Sequence, residues 1–175
     1  MRACQGVNPP HENLPHQNPP FYSTEPVRFV DQLTLAAVGS AVSCARAFLK
    51  LTLAKWLAAA LEDDALVILS ELATNAVNAT GTLADRPTWA ELDGLDLIHV
   101  RLLGLKDSIV IEVADASPEV PAVRAFDLDA EGGRGLHLVQ GLSRRWDFYR
   151  TTGGKVTWAE VPVPVTTVPA RPARR

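Results

Sequence analysis

The sequence predicts an α+β fold, a two-layer sandwich in which helices cover one face of a mostly antiparallel mixed sheet. Apolar residues recur at helical spacing in three segments, and five shorter runs have the composition or the alternation of strands. Four of these strands are close enough along the chain to form two hairpins. The order of strand, two helices, two strands, loop, helix and two strands is typical of α+β domains.

The first half of the predicted domain contains one strand and two long helices. Residues 27–36 form the opening strand, and residues 40–60 carry apolar side chains at the spacing of one long helix. Residues 62–80 form the second helix, and the two aspartates in its first turn suit the positive end of the helix dipole. Residues 81–95 are polar and rich in turn-forming residues, which predicts a long connection.

The second half of the domain is predicted to contain two hairpins and a short helix. Residues 97–105 and 108–115 are β-rich runs separated by a short turn, which indicates a hairpin. Residues 136–142 open a third helix. Residues 146–150 and 155–161 alternate as a closing hairpin, with two glycines in its turn.

Composition limits the classes of function. The 175 residues are 47% hydrophobic and 21% charged, as in one soluble globular domain, predicted to span residues 27–161. The proline-rich, polar segments 1–26 and 162–175 are predicted to be disordered. A net charge of −3 argues against nucleic-acid binding. Two cysteines, no long uncharged apolar run and no signal peptide predict a cytoplasmic protein without a membrane partner.

A polar stripe marks the second predicted helix. On a helix that advances about 100° per residue, Glu71, Asn75 and Asn78 lie on one narrow line opposite an apolar face. A carboxylate one turn before an amide suits a hydrated Mg²⁺ ion, which takes only one or two protein oxygens. The alternative is a solvated surface, but asparagine is disfavoured inside helices, so two on one stripe favour a functional site.

Two further positions indicate a nucleotide. Asp115 ends an apolar strand, where its carboxylate is suited to accept a hydrogen bond from an exocyclic amine such as that of adenine, although aspartate is also a common turn former. The glycine-rich residues 132–135 run into a helix start, where backbone N–H groups and the helix dipole suit phosphate. Arg134 would add a charge-assisted contact, and a flexible hinge is the alternative.

The loop that precedes this helix is the other segment with a predicted role. Residues 117–133 contain two prolines and an acidic end but no periodic pattern. A loop of that length without secondary structure in a compact domain is usually functional.

Four motifs in order resemble the GHKL ATP-binding superfamily over residues 38–161. They resemble most the bacterial anti-sigma-factor serine/threonine kinases and their actinobacterial relatives. Residues 71–79 look like the N box, 113–118 like the first glycine box in its Asp-x-Ser-Pro form, 133–139 like the second glycine box, and 153–158 like the closing strand. The resemblance implies the histidine-kinase-like ATPase, or Bergerat, fold, with ATP and Mg²⁺ as cofactors.

The resemblance also implies roles for individual residues. Glu71 would be the catalytic general base, and Asn75 would coordinate Mg²⁺. Asp115 would bind the adenine amine and Thr157 would support the adenine pocket, while residues 120–132 would form a mobile ATP lid. The remaining cofactor-binding residues implied are Asn78, Gly133, Arg134, Gly135 and Leu136.

The leading functional expectation is an Mg·ATP-dependent serine/threonine protein kinase that phosphorylates an anti-sigma antagonist and sequesters a sigma factor. The alternative is a non-catalytic, nucleotide-dependent protein-binding module that regulates transcription or signalling. Two departures favour the alternative: residues 78–80 lack the basic residue and histidine of many relatives, and the connection 81–95 is long. The catalytic domain of a two-component histidine kinase is disfavoured, because no histidine lies on a helical hairpin beside an acidic residue. Relatives often pair as homodimers.

Overall fold

The computed structural model describes residues 25–81, 88, 94–121 and 135–164. The predicted connection 81–95, the loop 117–133 and both predicted disordered ends lie wholly or largely outside these residues. The elements, in chain order, are β1 (Phe29–Ala36), α1 (Ala41–Lys55), a 3₁₀ turn (Ala59–Leu61), α2 (Glu62–Thr80), β2 (Leu97–Gly104), β3 (Ser108–Asp115), α3 (Gly135–Leu142), β4 (Arg145–Thr151) and β5 (Gly154–Pro162).

The strands form one five-stranded sheet in the order β1-β2-β3-β5-β4, and each pairing between them is antiparallel. Both predicted hairpins, β2–β3 and β4–β5, are present. The last strand, β5, lies between β3 and β4, so the two hairpins join into a single sheet through the β3–β5 pairing. The predicted α+β fold is confirmed.

The predicted helix over residues 40–60 is wrong at its end, because α1 stops at Lys55. Leu57 has a φ of 58°, a left-handed conformation that a leucine rarely adopts and that no α-helix continues through. Trp56 fits the apolar pattern although it lies beyond the helix, because its ring packs on Phe29 with the centroids 5.6 Å apart. Its indole Nε1–H also donates to Asp31 Oδ2 at 3.0 Å.

Helix α2 is the centre of the helical layer. It packs on α1 and α3 and on the sheet, mainly on β3. Three acidic residues in its first turn match the helix dipole. Alanines along the buried face let the neighbouring elements approach closely. Its buried residues are Ala65, Ile68, Leu69, Leu72, Ala73, Ala76 and Val77.

The other face of the sheet carries a polar cluster. Strand alternation places Arg101, Glu112, Tyr149 and Glu160 on this outer face, opposite the helices. Arg101 forms an ion pair with Glu112 Oε2, and the Tyr149 hydroxyl donates to Glu112 Oε1 at 3.3 Å. Burial raises the pKa of Glu112 to about 8, and the hydrogen bond from Tyr149 opposes this rise.

Glu160 has a denser set of partners. Its Oε1 accepts from the Ser108 hydroxyl at 2.7 Å and from Arg144 at 2.8 Å, and its Oε2 accepts from Arg145 Nε at 2.7 Å. Burial by itself would raise the pKa of Glu160, but the hydrogen bonds from Ser108 and Arg145 and the charges of both arginines outweigh burial and lower it. Arg145 also lies over the Trp158 ring, 5.8 Å from its centroid.

Candidate functional site

Two neighbouring strands bring three polar residues together on the helix-facing side of the sheet. Asp115, at the end of β3, pairs with Lys155 near the start of β5. Thr157 pairs with Val113, two residues further along β5. Alternation gives these side chains the same direction as Ile111, which lies in the main core. Asp115, Lys155 and Thr157 are each 7% exposed.

The Asp115 carboxylate is held by two donors on the same oxygen. Asp115 Oδ1 accepts from Lys155 Nζ at 2.7 Å and from the backbone N–H of Ser117 at 2.9 Å. Lys155 Nζ also donates to the carbonyl oxygen of Ser117 at 3.5 Å. A buried carboxylate without such partners would be strongly disfavoured, so the Lys155 ammonium and the Ser117 N–H together compensate for the burial of Asp115.

Local backbone contacts fix the chain around this ion pair. Gly154 has a φ of 146°, and a Cβ at this position would overlap the carbonyl oxygen of Asp115. Glycine is therefore required where β5 begins beside the end of β3. On the other side, the Glu119 N–H donates to the Ser117 hydroxyl at 3.1 Å, and Arg150 donates to the carbonyl oxygen of Pro118 at 2.9 Å.

A second part of the site lies between α2 and α3. A Cβ at Gly135, the first residue of α3, would overlap Glu71 Oε2, so only glycine allows the start of α3 to approach the carboxylate this closely. The start of a helix carries partial positive charge, which suits the Glu71 carboxylate. Glu71 is partly buried, and Asn75 and Asn78 are exposed on the same helix.

The other predicted site residues have different outcomes. Gly133, Arg134 and nearly all of the predicted lid, 120–132, lie outside the described residues. Leu136 is buried in the main core, so a contact with phosphate would have to come from its backbone N–H. Lys155 was not predicted as a site residue. The sequence could have indicated Lys155 only through the strand order, because Lys155 lies opposite Asp115 only if β3 pairs with β5.

The donor groups present fit a nucleotide with Mg²⁺. The Asn75 amide oxygen and the Glu71 carboxylate are hard oxygen donors, and Mg²⁺ otherwise keeps water and phosphate oxygens. The close approach at Gly135 leaves backbone rather than side chains at the start of α3, as phosphate binding needs. Within the described ranges, no group of three or more His, Cys, Asp or Glu side chains forms a metal cluster.

Comparison with known families agrees with this geometry. The sequence profile of the histidine kinase-like ATPase domain matches residues 32–161, from β1 to β5. The chain belongs to this family. The resemblance to the GHKL superfamily is thereby confirmed, and membership implies that this histidine kinase-like ATPase domain binds ATP. Comparison with curated protein sequences finds no match.

No helix in the described residues, 25–81, 88, 94–121 and 135–164, is both long enough and apolar enough to cross a membrane.

Proposed function

We propose that this histidine kinase-like ATPase domain is a serine/threonine protein kinase of the anti-sigma type. It uses Mg·ATP to phosphorylate an antagonist protein, and it sequesters a sigma factor in the cytoplasm when the antagonist does not compete. The observation that carries the proposal is the Glu71 carboxylate, which lies against the start of α3 at Gly135 and shares a helix face with Asn75. This arrangement supports the proposal, because it would bring the proposed base, metal ligand and phosphate-binding helix start close together.

The division of roles follows from the chemistry of each group. Asp115 accepts a hydrogen bond from the amine of the base, and Thr157 lies on the same side of the sheet. Asn75 would contribute an oxygen to Mg²⁺, and the ion would supply neutralisation of phosphate charge. Glu71 accepts the proton of a substrate serine as the serine oxygen bonds to the γ-phosphorus and the bond to the ADP oxygen breaks.

The test replaces the proposed base without changing its shape. We expect Glu71→Gln to retain ATP binding by calorimetry and to lose transfer of γ-labelled phosphate from ATP to serine of a protein in a lysate of the source organism. Glu62→Gln is the matched control, because Glu62 lies on the same helix and pairs with Lys50 at 3.1 Å. Unchanged transfer in Glu71→Gln would exclude Glu71 as the base.

A second function is favoured by one observation. Asn78 is exposed two turns after Glu71 and one turn after Asn75, and residues 78–80 provide no cation that could contact phosphate. This favours a regulatory module that binds ATP and a partner without transferring phosphate. Such a module would capture a partner in the presence of Mg·ATP while no protein acquired labelled phosphoserine. Stoichiometric phosphoserine on the captured partner would exclude it.

A further inference from the structure

We propose that Lys155 sets the base specificity of the nucleotide site by occupying one oxygen of the Asp115 carboxylate. The inference rests on the proposed role of Asp115 as the residue that contacts the base. It deepens that role by assigning a specificity-determining, positioning residue that does not itself need to touch the nucleotide.

The first step is the state of the carboxylate. The two donors to the carboxylate, Lys155 Nζ at 2.7 Å and the Ser117 N–H at 2.9 Å, bind the same oxygen, Asp115 Oδ1. No residue in the described part of the chain donates to Oδ2. The carboxylate therefore presents a single acceptor to a ligand rather than the pair of acceptors that an unpaired aspartate would offer.

The second step is the fixed orientation of the pair. The side chains of Lys155 and Asp115 are 8% and 3% exposed, so the ion pair is only weakly screened by solvent. Lys155 also reaches the carbonyl oxygen of Ser117, and the Ser117 N–H holds Asp115 from the other side. The carboxylate is thus fixed by the protein before any ligand arrives, and rotation that would exchange its two oxygens breaks both hydrogen bonds.

The third step is the chemistry of purine bases. Adenine presents one exocyclic amine, which a single carboxylate oxygen satisfies. Guanine carries a carbonyl oxygen in place of that amine, and its N1–H and N2 amine are two adjacent donors that fit both oxygens of one carboxylate. Because Lys155 occupies Oδ1, guanine loses one of these hydrogen bonds. The negative charge of the carboxylate also repels the carbonyl oxygen of guanine. Lys155 therefore favours adenine over guanine.

The experiment is calorimetric titration of Mg·ATP and Mg·GTP into the full chain and its Lys155→Met variant. We expect the wild type to prefer ATP by about tenfold or more, since unpaired buried polar groups discriminate strongly. In Lys155→Met the preference should fall at least about fivefold, because Oδ1 becomes available to guanine. Lys155→Gln, which keeps an uncharged donor, should have an intermediate preference. Lys50→Met is the control, because Lys50 forms an exposed ion pair elsewhere, and it should leave the ratio unchanged.

The outcomes separate this inference from the proposed function. Circular dichroism identifies the variants that fold. An unchanged ratio in a folded Lys155 variant would mean that the lysine is only structural, and tighter ATP binding would mean that the ion pair obstructs the site. Either result overturns the inference. The wild type alone can also overturn it, if it binds GTP as tightly as ATP. A wild type that binds neither nucleotide overturns the proposed function itself.

Discussion

The two faces of the sheet use buried carboxylates in opposite ways. On the outer face, Glu160 has three donors distributed over both of its oxygens, and Glu112 has a partner on each oxygen. On the helix-facing side, Asp115 has both of its donors on Oδ1. The oxygens of Glu112 and Glu160 are satisfied by the protein itself, whereas Asp115 keeps one oxygen without a donor among the described residues, as its proposed role in base binding requires. The difference lies in the distribution of partners rather than in burial.

The largest effect is expected at Asp115. Asp115→Asn leaves the Lys155 ammonium buried without its counter-charge, which should lower the free energy of unfolding by about 3 kcal/mol. ATP binding should weaken by about 100-fold in addition, because a hydrogen bond to a charged group is lost. Urea unfolding and calorimetry measure the two effects. Wild-type affinity in the folded variant would contradict the role of Asp115 in the site.

The next effect tests the other side of the comparison. Glu160→Ala removes a buried acceptor from Ser108 and two arginines, and should lower the free energy of unfolding by about 2 kcal/mol, because the half-exposed arginines regain water. ATP affinity of the folded protein should not change. Arg144→Ala should lower the free energy of unfolding by only about 1 kcal/mol, because the arginine side chain is 51% exposed. Loss of ATP binding in Glu160→Ala at a temperature where it is folded would remove the distinction between the two faces.

A smaller effect is expected from pH. Folding raises the pKa of Glu112 to about 8, because burial disfavours its charge. The folded state therefore holds this proton more tightly than the unfolded state. The contribution of Glu112 to stability is full below its unfolded pKa and is lost as the pH rises to about 8. Because a single proton is involved, the slope from Glu112 should not exceed about 1.4 kcal/mol per pH unit.

The measurement is urea unfolding of the wild type and Glu112→Gln between pH 5 and about 9, across the range in which a carboxyl with a raised pKa titrates. Stability of the wild type should decline with rising pH, and the decline should be flatter in the variant, which cannot ionise. Equal slopes would show that Glu112 is already charged throughout.

The smallest change in stability is expected at Gly135. A Cβ there meets the flexible end of the Glu71 side chain, which can move, so Gly135→Ala should change the free energy of unfolding by less than about 1 kcal/mol. Phosphoryl transfer should nevertheless fall, because the carboxylate is displaced. Gly141→Ala is the matched control in the same helix, since nothing lies within 4 Å of its added Cβ. Equal transfer in both variants would contradict the importance of the contact between Glu71 and α3.

Local patterns predicted most of the fold. The bounds of α2 and β3 are those expected from periodicity and from β-rich composition. The end of α1 was not predictable in this way, because Leu57 adopts a positive φ without glycine or asparagine to signal it. Even the Arg101–Glu112 pair follows from the predicted hairpin, because the short turn after Gly104 fixes which residues stand opposite each other.

The site was predictable only in part. Asp115 and Glu71 stand out by residue type and position, but their partners depend on contacts between distant segments. Lys155 meets Asp115 because β5 inserts beside β3, and Glu71 meets Gly135 because α3 packs on α2. Periodicity describes which face of an element is buried and carries no information on which strand or helix covers that face.

The interior position of β5 has a consequence for biosynthesis. A nascent chain that has been synthesised only as far as Arg150 already contains all three helices, β1 to β3 and nearly all of β4. Its β3 nevertheless still has an unpaired edge, and Asp115 still lacks its lysine. Ribosome-bound chains of this length should thus be prone to pairing with one another and unable to hold ATP. Binding of ATP would then mark chains whose last strand has been inserted, so nucleotide supply would favour completed molecules over those still being synthesised.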